Sequence, residues 1–318
     1  MASAPMAAPR KLRPERAVAS LKGDLDASRA LLWIGARNRL SDSIWSFRHL
    51  ALASTEHPYQ TGPGETELTM EILVFVKRVP ATDSKIKVGA DGKQIDPAGV
   101  EYVLNPYDEF AVEEALKTKE KFGGEVTVLT IGSADAQKEL RTCLAMGADK
   151  AILLEADTSS VDASSISKCL AAKAKELGAQ IIFCGKQAVD GDDAQVGVRV
   201  ATLLGWACVS DVSSLELSDG AFVATRDIEG GKEKIEGKLP AVLTCQKGLN
   251  EPRYPNLKGI MAAKKKPLES SPASLESAAL RVAGLTPPPA RPAPAILGEG
   301  AAAVDLLIDK LKNEAKVI

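Results

Sequence analysis

From residue 71 onward the chain keeps two rhythms of apolar and polar positions. Short, continuously apolar runs of strand length alternate with longer segments in which apolar residues recur every three or four positions. EILVFV (71–76) is the first apolar run, and the polar stretch 81–100 reads as a loop or small hairpin around VGADGKQI. YDEFAVEEALKTKEKFGG follows as a helix, with Asn105 as its cap, Pro106 at its first position and Gly123 at its end. Glu113 and Glu114 lie early in it and Lys117, Lys119 and Lys121 late, as the helix dipole favours. Then come a strand (125–132), a helix closed by Gly147, a strand (150–155), a helix over 162–178 capped by Asp162, a strand (180–185) and a helix over 193–205.

Repetition of this kind, with strands apolar on both faces, calls for an α/β fold with a doubly wound, mostly parallel sheet. Right-handed crossovers then place the strand ends at Phe75, Ile131 and Gly185 on one edge, whose loops are the default ligand site. After residue 205 the period changes to two. Hairpins with turns at Asp219-Gly220 and Gly230-Gly231 lead to a last buried strand, AVLTC, then to a Pro-punctuated loop and a short basic helix. Residues 269–300 are rich in Pro, Ala and Ser and read as an extended arm. The final AAAVDLLIDKLKNEAKVI is an amphipathic helix with Val304, Leu306, Leu307 and Leu311 on one face, which suits docking on a partner or a return across the sheet.

Three regions are expected: a weakly structured extension (1–69), an α/β domain (70–268) and a C-terminal arm with its helix (269–318). Met70 directly precedes the first strand and could be an alternative start, whereas the basic, acid-poor opening residues also fit an organelle-targeting segment. Cytoplasm is the expected compartment, with the mitochondrial matrix as the alternative if 1–69 holds a transit peptide.

Composition narrows the chemistry. In 318 residues with 45% hydrophobic content there is ample material for a core, and a formal net charge of -2 gives no general attraction to nucleic acid or anionic membrane. No apolar run reaches the ~18 residues needed to span a bilayer. Both histidines precede Met70, so His-based triads and His-ligated zinc are excluded from the main body, and no metal site is expected. The five cysteines contain no CxxC pair and read as buried, reduced thiols.

The strongest candidate site is residues 184–197, CGKQAVDGDDAQVG, a Gly- and Asp-rich turn between a strand and a helix. Backbone N–H groups at a helix start can hold an anion without a basic side chain. Neither G-x-G-x-x-G nor the Walker pattern is present. On the motif alone the turn could equally be a tight connection with Asp192 or Asp193 as helix cap. Lys264, Lys265 and Lys266 could be a solvated helix end or, with Arg253, a patch that steers acidic partners. Asp227 and Glu229 could be hairpin charges, and Trp206 is expected to pack rather than relay electrons. A stand-alone hydrolase or nucleotide-sensing protein on the same architecture is a competing class, as is a purely structural subunit.

Six segments in order, LVFVKRVP, NPYDEFAVEEAL, LRTCLAMGADKAILL, GKQAVDGDDAQVG, RDIEGG and LPAVLTCQKGLNEPRYPNLKGIMAAKKKP, resemble the beta subunit of electron-transfer flavoprotein over residues 71–318. The resemblance implies a Rossmann-like, adenine-nucleotide-binding fold in a heterodimer with an alpha subunit. FAD is shared with that subunit, and AMP is bound structurally by this chain. It implies an electron carrier rather than an enzyme, with no catalytic residue of its own. Electrons come from acyl-CoA and related dehydrogenases, as in fatty acid beta-oxidation, and leave to a quinone oxidoreductase. Carried onto this chain, the nucleotide contacts are Phe75, Asn105, Pro106, Tyr107, Asp108, Ile131, Gly185, Lys186, Gln187, Ala188, Val189, Asp190, Gly191, Asp192, Asp193, Ala194, Gln195 and Val196. Partner docking falls to Arg253, Tyr254, Leu257, Ile260 and Met261, with Asp227 tuning it. Val196 stands where the AMP-binding type has a threonine, and the DGD-x-AQVG form resembles a bifurcating, nitrogen-fixation-associated branch that holds a second FAD instead of AMP. Thr82 stands where an aromatic residue would face the flavin.

Overall fold

The computed structural model describes residues 70–318, apart from 219, 291 and 292. The expectations for residues 1–69 and for Asp219 lie outside the described residues. Five of the apolar runs form a parallel core: β1 (Glu71–Phe75), β4 (Glu125–Gly132), β5 (Lys150–Glu155), β6 (Ile181–Gly185) and β10 (Ala241–Cys245). Between them come a small antiparallel pair, β2 (Arg78–Pro80) with β3 (Tyr102–Leu104), and the helices α1 (Pro106–Phe122), α2 (Gln137–Met146), α3 (Ala163–Glu176) and α4 (Val196–Leu204). The antiparallel meander β7 (Ala207–Ser218), β8 (Ala221–Ile228) and β9 (Gly231–Lys238) joins the sheet through β7, which runs parallel to β10. The chain closes with α5 (Leu257–Ala263), β11 (Leu268–Pro272) and α6 (Val304–Asp309).

The sheet order is β11-β5-β4-β1-β6-β10-β7-β8-β9. The alternation of side chains along each strand divides the core into two layers. Ile72, Val74, Val126, Val128, Ile181 and Phe183 face one side with Val112 and Leu116 of α1 and Leu140 and Leu144 of α2. Leu73, Phe75, Leu129, Ile182 and Cys184 face the other with Leu170 and Ala174 of α3 and Val200 and Ala201 of α4. The strands therefore read as continuously apolar because both of their faces are covered.

Chain order grows from β1 toward β4 and β5, then returns to place β6 on the opposite side of β1. The loops after β1 and β6 consequently diverge, opening a crevice at their carboxyl ends, which is where open α/β sheets hold ligands. Among the described residues no helix is long and apolar enough to cross a membrane.

Four local expectations are corrected. Asn105 stands at the N-cap of α1 but makes no capping hydrogen bond with its side chain, which is recruited elsewhere. Gln195, not Asp192 or Asp193, occupies the N-cap position of α4, again without a side-chain bond. Residues 268–272 are not linker but β11, because β5 would otherwise present an open edge to water. Cys208 is exposed, whereas Cys143, Cys169, Cys184 and Cys245 are buried, and all five are free thiols. Asp162 does cap α3, accepting from Ser165 N at 2.8 Å.

Candidate functional site

At the edge of β1 and β6, Phe75 is paired with Leu129 on one side and Cys184 on the other. Ile131, half-buried, lies two residues beyond Leu129 on the neighbouring strand. Gly185 ends β6, and a Cβ there would lie 2.3 Å from Asp108 Oδ1 and 2.7 Å from Tyr107 Cβ. Only glycine lets the first turn of α1 sit this close against the strand end. The edge thus assembles Phe75, Pro106, Tyr107, Asp108, Ile131 and Gly185 from four separate elements.

Asp108 is the keystone of that contact. Its carboxylate accepts from Lys77 N at 2.7 Å, Asn105 Nδ2 at 2.9 Å and Gly185 N at 3.0 Å. Burial pushes its pKa up to about 7 although all three hydrogen bonds favour the ionised form. Asn105 links this cluster to the next loop, donating to Gln187 O at 2.9 Å and accepting from Val189 N at 3.1 Å. Its amide therefore holds residues 187–189 rather than its own helix end.

The rest of the loop is shaped by its own polar groups. Asp192 N donates to Ala188 O at 2.9 Å, and Gln187 Nε2 donates to Asp192 Oδ1 at 2.7 Å. Lys77 Nζ lies 2.7 Å from Asp190 Oδ2, so the cation that follows β1 offsets one of the loop's three carboxylates. Asp192 and Ala194 adopt left-handed backbone, with φ of 53° and 52°. Non-glycine residues seldom hold that conformation unless the surroundings impose it, and such strain gathers at ligand clamps. Asp193 and Gly191 are exposed, and Gln195 Oε1 accepts from Arg199 Nε at 3.0 Å.

Lys186 Nζ sits 5.2 Å above the Tyr107 ring and 3.7 Å from Asp211, a residue of β7 that is itself left-handed with φ of 58°. Gly197, in the first turn of α4, packs where a Cβ would meet Cys184 Sγ at 2.7 Å and Thr244 Cγ2 at 2.8 Å, so α4 starts hard against the sheet. No side chain caps it, so its first-turn N–H groups keep their partial positive charge. Val196 packs into the apolar layer beneath. It offers no hydroxyl to a ligand.

A second group of sequence-selected residues forms a separate surface. Tyr254, Leu257 and Met261 are 92, 81 and 60% exposed, with Ile260 beside them at 45%. Asn256 caps α5 by accepting from Gly259 N at 2.8 Å. Arg253 differs from the rest. Its guanidinium lies against α1, donating to Glu113 through Nε at 2.8 Å and Nη2 at 2.8 Å and to Glu120 at 2.6 Å, so it is not a free steering charge. Lys266 likewise turns inward, whereas Lys264 and Lys265 remain exposed. Asp227 on β8 is paired with Lys232 at 3.3 Å. It sits toward one end of the sheet, while α5 packs on α2 over β4 and β5, so Asp227 and Leu257 are not brought together.

Lys77, Glu113, Glu114, Arg141 and Asp211 were not selected from the sequence. Lys77 carried a local signal as a cation two residues beyond the end of β1, and Glu113 and Glu114 one only as helix-dipole partners. The others are defined by partners far along the chain.

Comparison with known proteins agrees with this architecture. A family model described as "Electron transfer flavoprotein domain" matches residues 93–276. The chain is 41% identical over 259 residues to the electron transfer flavoprotein subunit beta of Bacillus subtilis, covering 78% of this chain and all of that protein. It is 43% identical over 256 residues to the subunit beta of Bradyrhizobium diazoefficiens, with 78% and 100% covered. It is 40% identical over 256 residues to the mitochondrial subunit beta of Arabidopsis thaliana, with the same coverage. With its parallel sheet, its crevice at the β1/β6 switch and these matches over most of its length, the chain belongs to the electron transfer flavoprotein beta-subunit family.

Proposed function

We propose that this chain is the beta half of a heterodimeric electron carrier. It pairs with an alpha subunit, helps enclose a shared FAD, and holds AMP as a structural nucleotide in the crevice lined by residues 185–196. The observation that carries the reading is the loop itself. It sits at the switch point of the sheet, is braced by Asn105 and Asp108 at the start of α1, and leads into a helix start that no side chain caps. Of the three loop carboxylates, Lys77 offsets Asp190, Gln187 donates to Asp192 and Asp193 stays exposed to water, and backbone N–H groups are the donors proposed for the anion.

When bound, the flavin supplies the electron chemistry. This chain's own residues position, exclude water and dock. The apolar face of Tyr254, Leu257, Ile260 and Met261 offers the dehydrogenase donor a surface, and a quinone oxidoreductase is the acceptor. A second reading, a second FAD in place of AMP, is favoured by Val196, whose apolar side chain packs into the core where a phosphate-binding hydroxyl would be wanted. The protein acts in the cytoplasm, or in the mitochondrial matrix if residues 1–69 are a transit peptide. Mass spectrometry of the native N-terminus distinguishes the two.

The docking role is tested by Leu257→Ala. At 81% exposure the side chain contributes little to the fold, so stability stays within about 0.5 kcal/mol. Binding to an acyl-CoA dehydrogenase should lose about 2 kcal/mol or more if the leucine fills a partner pocket as a hot spot. An unaltered KM for several such dehydrogenases would remove it from the interface.

A further inference from the structure

Residues 250–267 hold a large apolar surface in water on a loop and a helix of only seven residues. So short a helix is not stable alone, and its shape must come from what it is fastened to. Fastenings occur at both limbs. On the leading limb, buried Glu113 of α1 accepts three bonds from Arg253, one from the backbone N at 3.1 Å and two from the guanidinium at 2.8 Å. Asn250 beside it donates to Phe110 O at 3.0 Å and Glu114 Oε2 at 2.9 Å.

On the trailing limb, two helix ends cap each other. Arg141 of α2 donates to Ala263 O at 2.6 Å and Lys266 O at 2.9 Å, satisfying the carbonyl end of α5. Lys266, just past α5, donates to Leu144 O at 3.1 Å, Gly147 O at 3.2 Å and Ala148 O at 2.6 Å, satisfying the carbonyl end of α2. Between the limbs Gly259 approaches α2 so closely that a Cβ would lie 2.4 Å from Ala145 O. These contacts fasten the segment that carries the apolar face to α1 and α2.

We infer that Glu113 and Arg141 are positioning residues for partner capture, holding the docking segment in its binding shape through the hydrogen bonds they make to it. The inference rests on the docking role proposed above. A segment ordered in advance spares the complex the entropy of ordering it on binding, so loosening it weakens capture without touching the electron-transfer step.

The test uses the full chain co-expressed with its alpha subunit, carrying Glu113→Gln, Arg141→Gln or the conservative Arg141→Lys, with Leu257→Ala alongside. Hydrogen exchange over residues 250–263, bound flavin, and KM and kcat for reduction by an acyl-CoA dehydrogenase are measured. Both Gln variants should exchange faster in this segment and raise KM about tenfold, with kcat and flavin content unchanged, and Arg141→Lys should recover most of the affinity. Leu257→Ala should raise KM with exchange unchanged. Faster exchange without a rise in KM overturns the inference, as does unchanged exchange or a parallel loss of kcat and flavin. If Leu257→Ala itself leaves KM untouched, the docking reading falls, and this inference falls with it.

Discussion

Gly185→Ala is the smallest change that tests how the crevice is built. The added methyl would sit 2.3 Å from Asp108 Oδ1, 2.7 Å from Tyr107 Cβ and 2.8 Å from the Tyr107 carbonyl carbon. The last two are the helix backbone and its nearest side-chain atom, so no far end of a flexible side chain can simply swing away, and α1 or β6 must shift. Overpacking of this kind costs about 1 to 3 kcal/mol. The shift also stretches the 3.0 Å bond from Gly185 N to the Asp108 carboxylate, and a charged hydrogen bond contributes about 1.5 to 3 kcal/mol. The expected loss is therefore about 2.5 to 6 kcal/mol, a large share of the ~5–15 kcal/mol stability of an ordinary domain. Gly191→Ala is the matched control, since its Cβ would meet nothing closer than Asp193 Oδ2 at 3.6 Å, an ordinary contact. The assay is the urea midpoint of the purified complex together with the fraction of adenine nucleotide retained after gel filtration. Gly185→Ala should lower both sharply and Gly191→Ala should leave the midpoint nearly unchanged. Equal behaviour of the two variants would refute the claim that Gly185 is required for the close approach of α1.

Asp108 and Asp162 give opposite pH dependences. Burial raises the Asp108 pKa to about 7, so folding takes up a proton and stability falls as pH rises from about 4 to 7, then levels off. The difference in unfolding midpoint between the native protein and Asp108→Asn should follow that slope across the same window, and a difference independent of pH would contradict it. Asp162 accepts from Ser165 N and, in the arm, from Ala279 N at 2.8 Å and Leu280 N at 3.1 Å, and the Ser165 bond above all holds its carboxyl below the usual range. Its contribution is complete above the ordinary Asp pKa of about 4 and is lost as pH falls below it. Asp162→Asn should therefore speed hydrogen exchange at residues 279–280 at pH 7. The gap between variant and native protein should narrow on acidification, and a gap that widens in acid would oppose this account.

The fold was largely legible because its signal is local and repeated. Each buried strand is an apolar run, and α1, α2 and α3 carry starts or stops of the expected chemistry in Pro106, Gly123, Gly147 and Asp162. β11 was not, since LESSP carries no strand signal of its own and is ordered by the free edge of β5. In the site, the edge residues followed from topology, but their partners did not. Asn105 has the chemistry of a cap, and what recruits it instead is the backbone of Gln187 and Val189, more than 80 residues away and close only after folding. Glu113 and Arg253 each fitted a local role, one a dipole partner and the other a surface charge. Their pairing across 140 residues is visible only in three dimensions.

In the proposed function this chain, joined to an alpha subunit, holds an adenine nucleotide of its own in the β1/β6 crevice beside the shared flavin. Acid release of the nucleotides from the native heterodimer, followed by chromatography, measures this directly. One FAD and one AMP per heterodimer are expected, while two FAD and no AMP would select the second reading. A single FAD with no other nucleotide, or a complex with none, would contradict the claim.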